Sequence, residues 1–336
     1  MDTMTVAVAA GTPSNVEEFL MASGLPLQLR RLTGRTEEYL VEALGDVDAV
    51  VFSSREAVTP RVMAAMKRCR VMSRRGVGVD NLDVEAATRH GLAVACVPDA
   101  SVEEVSDHAV ALLLACARRI VWLNETVKSG KWGEDGAAAL APIRKGMHRL
   151  SQSTLGLVGF GRLGRTTWRK AKGFGLTGLV YDPLVADEAI RSEGAEPVDF
   201  EQLLARSDYI SLHVPLTPKT RGLFDRNAFS KMKPTAFLIN TARGGVVDQE
   251  ALIEAITTNR LAGAALDVTS YEPLGTDSPL VGLDRVLLTG HSAYYSAESE
   301  VELSRRTAEN IIAGLRGEVP PGIVNPEVYN RVANSE

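Results

Sequence analysis

The amino-acid sequence predicts an α/β protein built from two doubly wound parallel sheets. Three observations predict it. A chain of 336 residues with 45% hydrophobic content exceeds what one compact core usually holds. Short apolar runs alternate with helical patterns through the first hundred residues. The alternation restarts at Thr154, beside a glycine-rich turn, and continues almost to residue 290.

In the first alternation, residues 6–10, 27–32, 49–53, 71–75 and 93–97 read as strands, and 15–22, 37–44, 60–67 and 84–90 as helices. Residues 101–128 then read as one long helix, with Ser101 as N-cap and Glu103 and Glu104 in its first turn. The second alternation places strands at 155–160, 178–181, 209–214, 236–240, 263–268 and 286–288. A final helix is expected over 298–316, and Pro320-Pro321 cannot continue it.

Composition excludes several classes of function. A net charge of −5 argues against a general affinity for nucleic acid, which needs clustered Lys and Arg. The longest apolar run, 109–117, is too short to span a bilayer, and the start Met1-Asp2-Thr3-Met4 lacks the basic residues of a secretory signal. Cys69, Cys96 and Cys116 form no CxxC pair and have no His at metal-ligand spacing, so no metal and a reducing, cytoplasmic setting are expected.

The segment Gly159-Phe160-Gly161-Arg162-Leu163-Gly164 is a GxGxxG between an apolar strand and a helical stretch. Its first Gly allows a tight turn, the second lets a pyrophosphate approach the backbone, and the third lets helix and strand pack closely. The backbone at Arg162 and Leu163 opens a helix whose N–H groups suit phosphate. Asp182 follows the next strand, where a carboxylate accepts from ribose hydroxyls and repels a 2′-phosphate, which favours NAD over NADP. Arg243 lies just past a strand end, where ligands bind in open α/β sheets, and can hold a carboxylate bidentately. Taken alone it fits a solvated ion-pair residue equally well. Glu272 and His291 suit an acid/base pair, but spacing does not show that they meet. His108 reads as a packing or interdomain residue, and Trp122, Trp132 and Trp168 as packing between lobes or subunits.

Together with GFGRLG and Asp182, the runs HVPLTPKT (213–220), NTARGG (240–245), AALDV (264–268), YEP (271–273) and the His291 region resemble the D-2-hydroxyacid dehydrogenases. RRGVGVDNLD (74–83) is similar to a motif of that family's substrate domain. The 3-phosphoglycerate dehydrogenases and the C-terminal-binding-protein-like branch are the nearest groups, the latter through Tyr294-Tyr295-Ser296.

The resemblance implies a discontinuous substrate-binding domain (1–101 and 299–336) interrupted by a Rossmann-like NAD-binding domain (102–298), with the active site in the cleft between lobes. It implies a small 2-oxo or D-2-hydroxy acid as substrate and a homodimer formed through the NAD-binding domain. His291 would be the acid/base, Glu272 its partner and Arg243 the substrate anchor. Cofactor contacts would come from the glycine segment, Asp182, His213, Pro215, Thr220, Thr241, Ala242, Asp267 and His291. Asp267 would hold the nicotinamide carboxamide. Substrate contacts would include Ser53, Arg74, Val77 and Gly78. Two departures stand out: Gly290 where the family often has Pro, and Ser53 where phosphoglycerate dehydrogenases usually have Arg. An NAD(H)-sensing corepressor-like protein and a 3-phosphoglycerate dehydrogenase proper remain alternatives.

Overall fold

The strand segments 49–52, 71–73 and 93–95 are buried on both faces, the pattern of parallel strands covered by helices, while the edge segment 27–31 is only partly buried. The computed structural model describes residues 2–332 except 54 and 81, so Asn81 of the 74–83 run lies outside the described residues. Two compact units emerge: unit 1 is Met1–Ser101 with Ser296–Glu336, and unit 2 is Val102–Tyr295.

Unit 1 begins as β1 (Met4–Val8), α1 (Ser14–Met21), β2 (Leu27–Arg31), α2 (Glu37–Ala43), β3 (Ala49–Phe52), α3 (Pro60–Ala65), β4 (Val71–Arg74), α4 (Val84–Arg89) and β5 (Ala93–Ala95). Its parallel sheet has the order β2-β1-β3-β4-β5. Thr36, Thr59 and Asp83 cap α2, α3 and α4 by accepting backbone N–H bonds.

Unit 2 opens with α5 (Val102–Arg118), α6 (Ile120–Lys128), α7 (Lys131–Asp135) and α8 (Ala137–Arg144). The expected single helix over 101–128 is therefore two. Arg119 adopts a left-handed conformation (φ 53°), and its guanidinium lies 4.3 Å from the Phe237 ring centroid and 5.5 Å from that of Trp122. Tertiary stacking overrides a continuous helical pattern there.

The second alternation follows: β6 (Thr154–Val158), α9 (Arg162–Ala171), β7 (Thr177–Tyr181), α10 (Asp187–Ser192), β8 (Glu196–Pro197), α11 (Phe200–Arg206), β9 (Tyr209–Leu212), α12 (Arg226–Lys231), β10 (Phe237–Asn240), α13 (Gln249–Thr257), β11 (Gly263–Leu266) and β12 (Val286–Leu288). All pairings are parallel, in the order β12-β11-β10-β9-β6-β7-β8. The two-residue β8 carries no sequence signal. Trp168 is buried in this unit's core, its indole N–H donating to Glu193 O at 2.9 Å, so it does not pack between lobes. A Cβ at Gly178 would stand 2.5 Å from its ring, which explains the glycine.

The chain then completes unit 1 with α14 (Ala297–Leu315) and α15 (Glu327–Val332). Ala308, Ile311 and Leu315 share a core with Val6, Val8 and Val71. Asn310 Nδ2 donates to Cys96 O at 3.1 Å and its Oδ1 accepts from Gly322 N at 2.9 Å, so a buried amide fastens the helix to the strand ends.

Both sheets use the same device at their first strand. Asp48, before β3, accepts from Thr5 N at 2.8 Å, and Asp208, before β9, accepts from Thr154 N at 2.8 Å. Each carboxylate is balanced by a cation, Arg68 at 3.0 Å and Lys233 at 2.8 Å. In unit 2 this fixes β9 beside β6, while β7 and β8 run out on β6's other side. The reversal of strand order places a crevice at the C-terminal ends of β6 and β9. Among the described residues, no helix is long and apolar enough to cross a membrane.

Candidate active site

Gly159 and His213 meet where β6 and β9 end. Gly159 has φ 92°, and a Cβ there would lie 2.6 Å from His213 O. Gly164 is equally confined, its Cβ position 2.2 Å from Gly159 O, so α9 approaches the strand end only because both residues lack side chains. Gly161 differs: nothing lies within 4 Å of its Cβ position. It precedes α9 without a side-chain cap, so the N-cap residue leaves the start of the helix uncovered by a side chain of its own. That cradle fits a dinucleotide phosphate.

Asp182 stands at the end of β7 with both oxygens engaged. Oδ2 accepts from Phe160 N at 2.7 Å and Oδ1 from Leu184 N at 2.9 Å, so the acid braces the glycine loop and retains further lone pairs. On the other flank, His213 Nε2 is 2.9 Å from Ser211 Oγ, while Nδ1 is buried without a partner, and burial pushes the imidazole down to about 4. Thr241 Oγ1, at the end of β10, is likewise buried without a partner. Pro215 O accepts from Thr220 Oγ1 at 2.6 Å, which folds the loop after β9 back on itself.

Past β10, Asn240 shapes the turn that presents Arg243. Its Oδ1 accepts from Ala242 N and its Nδ2 donates to Arg243 O, both at 3.0 Å. Gly244 then passes so close to the next loop that a Cβ would fall 1.9 Å from Thr269 O. This approach sets Arg243 beside the loop that carries Glu272. Glu272 Oε1 accepts from Thr269 N at 3.0 Å, and Oε2 accepts from His291 Nδ1 at 2.5 Å. Burial pushes the Glu272 carboxyl up, but the hydrogen bond and charge of His291, the Thr269 N–H and the Arg243 charge together hold it below its ordinary value. With Nδ1 engaged by the carboxylate, Nε2 is the His291 ring nitrogen outside the pair.

Comparison with known proteins places the chain in a family. Residues 110–293 match the family model described as D-isomer specific 2-hydroxyacid dehydrogenase, NAD binding domain. The chain belongs to that family. The dehydrogenase is an NAD-dependent oxidoreductase. It is 40% identical over 293 residues to a glyoxylate reductase of Korarchaeum cryptofilum, covering 87% of each chain. It is 36% identical over 314 residues to a D-3-phosphoglycerate dehydrogenase of Archaeoglobus fulgidus, covering 94% of this chain but only 58% of that relative's length. Among solved structures it resembles D-lactate dehydrogenase from Aquifex aeolicus complexed with NAD and lactic acid, with a TM-score of 0.84, 28% identity and coverage of 95% and 98%.

The remaining sequence-derived substrate residues of the dehydrogenase lie in unit 1. Val77 and Gly78 follow β4, with Val77 exposed. Arg74 Nη1 donates to Arg75 O at 2.8 Å, and the guanidinium lies over Gly76, whose φ of 133° suits glycine. Ser53 is held by a buried acid: Glu56 Oε2 accepts from its N–H at 2.7 Å and from its hydroxyl at 2.8 Å. Asp267, expected to hold the nicotinamide carboxamide, lies in unit 2 just past β11. It is 3% exposed, and its oxygens accept from Thr289 Oγ1 (2.6 Å), Ser292 N (2.8 Å) and Ala293 N (3.1 Å), so its carboxylate is committed to the His291 loop. Asn240, Thr289 and Gly244's close approach were missed by sequence reasoning; the run of small residues around Arg243 was the available signal.

Proposed function

We propose that this dehydrogenase interconverts a small 2-oxo acid and the corresponding D-2-hydroxy acid, with His291 as proton donor and acceptor. The hydrogen bond between Glu272 and His291, beside the Arg243 loop, carries the reading. Similarity to a glyoxylate reductase over 87% of both chains supports a small substrate.

The roles follow from the side chains. Glu272 accepts the Nδ1 proton of His291, fixes its tautomer and favours its charged form, so Nε2 can give a proton to the substrate's keto oxygen in reduction and take it back in oxidation. Arg243 presents a planar fork of donors suited to the substrate carboxylate. The open cradle at Gly161, the N–H groups at the start of α9, and Asp182 would hold the cofactor, with His213 and Thr241 offering buried polar atoms beside it. When bound, the reduced nicotinamide supplies the hydride. Exposed Ile120, Val127 and Trp132 on α6 and α7 support a homodimer formed through unit 2, and three buried free cysteines suit a cytoplasmic protein.

The test is NADH oxidation with glyoxylate, hydroxypyruvate, pyruvate, phenylpyruvate and phosphohydroxypyruvate. Turnover of at least one is expected. Tight NADH binding with no turnover on any of them would overturn the reading and favour a dinucleotide-sensing regulator.

A further inference from the structure

We propose that His108 is a positioning residue for His291, acting through Thr289 and Asp267. The inference rests on the reading of His291 as the proton donor. It starts from a strained loop: Gly290 has φ 61° and His291 φ 58°, two successive left-handed residues, the second with a side chain. A conformation of that kind persists only where neighbouring contacts fix it. Asp267 supplies them. Its backbone carbonyl accepts from His291 N at 2.6 Å, Oδ1 from Ser292 N at 2.8 Å and Oδ2 from Ala293 N at 3.1 Å.

The orientation of that buried carboxylate is set in turn by Thr289, whose hydroxyl donates to Oδ1 at 2.6 Å. A hydroxyl has one proton to give. Since Thr289 gives its proton to the carboxylate, the 2.9 Å bond between Thr289 Oγ1 and His108 Nε2 requires the imidazole to donate. His108 therefore carries its proton on Nε2, which also lies 3.6 Å from Asp267 Oδ1. The ring stands on α5, whose Ala109, Leu112, Leu113 and Cys116 are buried in the core of unit 2. A directional chain of donors thus runs from a packed helix to the loop that sets the His291 imidazole. Positioning errors of about 1 Å at a reacting group cost turnover on the order of a hundredfold.

The experiment compares His108→Leu, His108→Gln, Thr289→Val and the His108→Leu/Thr289→Val pair with the wild-type full chain, using NADH and the best 2-oxo acid from the panel. His108→Leu should lower kcat by about 10- to 100-fold and raise its solvent deuterium isotope effect, while the Kd for NADH and the substrate KM stay within about threefold. His108→Gln retains an N–H donor at a similar reach and should recover most of kcat. Thr289→Val should reproduce the loss, and adding His108→Leu to it should cost less than about twofold more, because the chain is already cut. Wild-type kcat in Thr289→Val, or losses that multiply in the double variant, would overturn the proposal. If His108→Leu fails to fold, Thr289→Val and His108→Gln decide it: a Gln variant as slow as His291→Asn also overturns it. Full turnover in His291→Asn would instead overturn the proton-donor reading itself.

Discussion

The three glycines of the 159–164 loop should respond to the same substitution in opposite ways. At Gly164, an added methyl would lie 2.2 Å from Gly159 O, so the start of α9 must move away from the strand end. Overpacking of that kind costs about 1–3 kcal/mol, and in a domain of this size each kcal/mol lowers Tm by about 2–4 °C. Gly164→Ala should therefore melt about 2–12 °C below wild type. Gly159→Ala should be worse, because φ 92° adds backbone strain to the 2.6 Å approach to His213 O. Gly161→Ala has φ −70° and open space, and its small loss of N-cap preference is offset by reduced chain entropy when unfolded, so Tm should stay within about 2 °C. Its methyl would instead occupy the phosphate cradle. Pushing a pyrophosphate off one charge-assisted N–H bond costs about 1.5–3 kcal/mol, a loss of about 10- to 100-fold in NADH affinity. Thermal melts and fluorescence titration with NADH separate the two effects. The reasoning fails if Gly161→Ala binds NADH within twofold of wild type, or if Gly164→Ala melts as the wild type does.

Asn tolerates the left-handed backbone of His291, so His291→Asn should fold normally, keep its NADH affinity and lose about 10²- to 10⁴-fold in kcat; a rate within tenfold of wild type in stopped-flow assays refutes the assignment. Because Glu272 is held below its ordinary value, its charged form, and the stability it contributes, persists as pH falls and is lost only below the usual carboxylate value of about 4.3. The acid limb of the kcat profile for reduction should accordingly lie below about pH 4.3, and a limb near 5.5 contradicts the pairing. His213, pushed down to about 4 from an unfolded value of about 6.5, refuses a proton that the unfolded chain accepts, so stability should fall between pH 6.5 and 4 by about 2–3 kcal/mol at most. Urea midpoints at pH 7 and 5 test this: His213→Asn should flatten the slope, and an unchanged slope excludes the residue.

How far the molecule was legible depends on how local each cause is. The glycine loop and Asp182 are carried by one strand, one turn and one helix, and the sequence pattern located them without tertiary information. Glu272 and His291 are 19 residues apart, and no periodicity requires them to meet; the family resemblance, not spacing, pointed to the pair. His108 and Thr289 are separated by 181 residues, and a single His in an apolar helix looks like packing until the fold brings a hydroxyl to it. The break at Arg119 has the same origin, since the ring that stacks on it, Phe237, belongs to a distant strand.

Gly290 shows what a departure from a family pattern can mean physically. Proline at that position would fix φ near −65°, whereas the observed φ is 61°, so the two residues cannot serve one backbone path. A proline restrains a loop covalently and needs little from its surroundings. A glycine leaves the next residue's conformation to be set by contacts, and here the contacts are three N–H groups donated to Asp267. Restraint that the chain does not supply at 290 must come from Asp267, through its backbone carbonyl to His291 and its carboxylate to Ser292 and Ala293. The carboxylate in turn depends on Thr289 and, through it, on His108, which makes the departure at 290 and the buried network at 267 two parts of one solution.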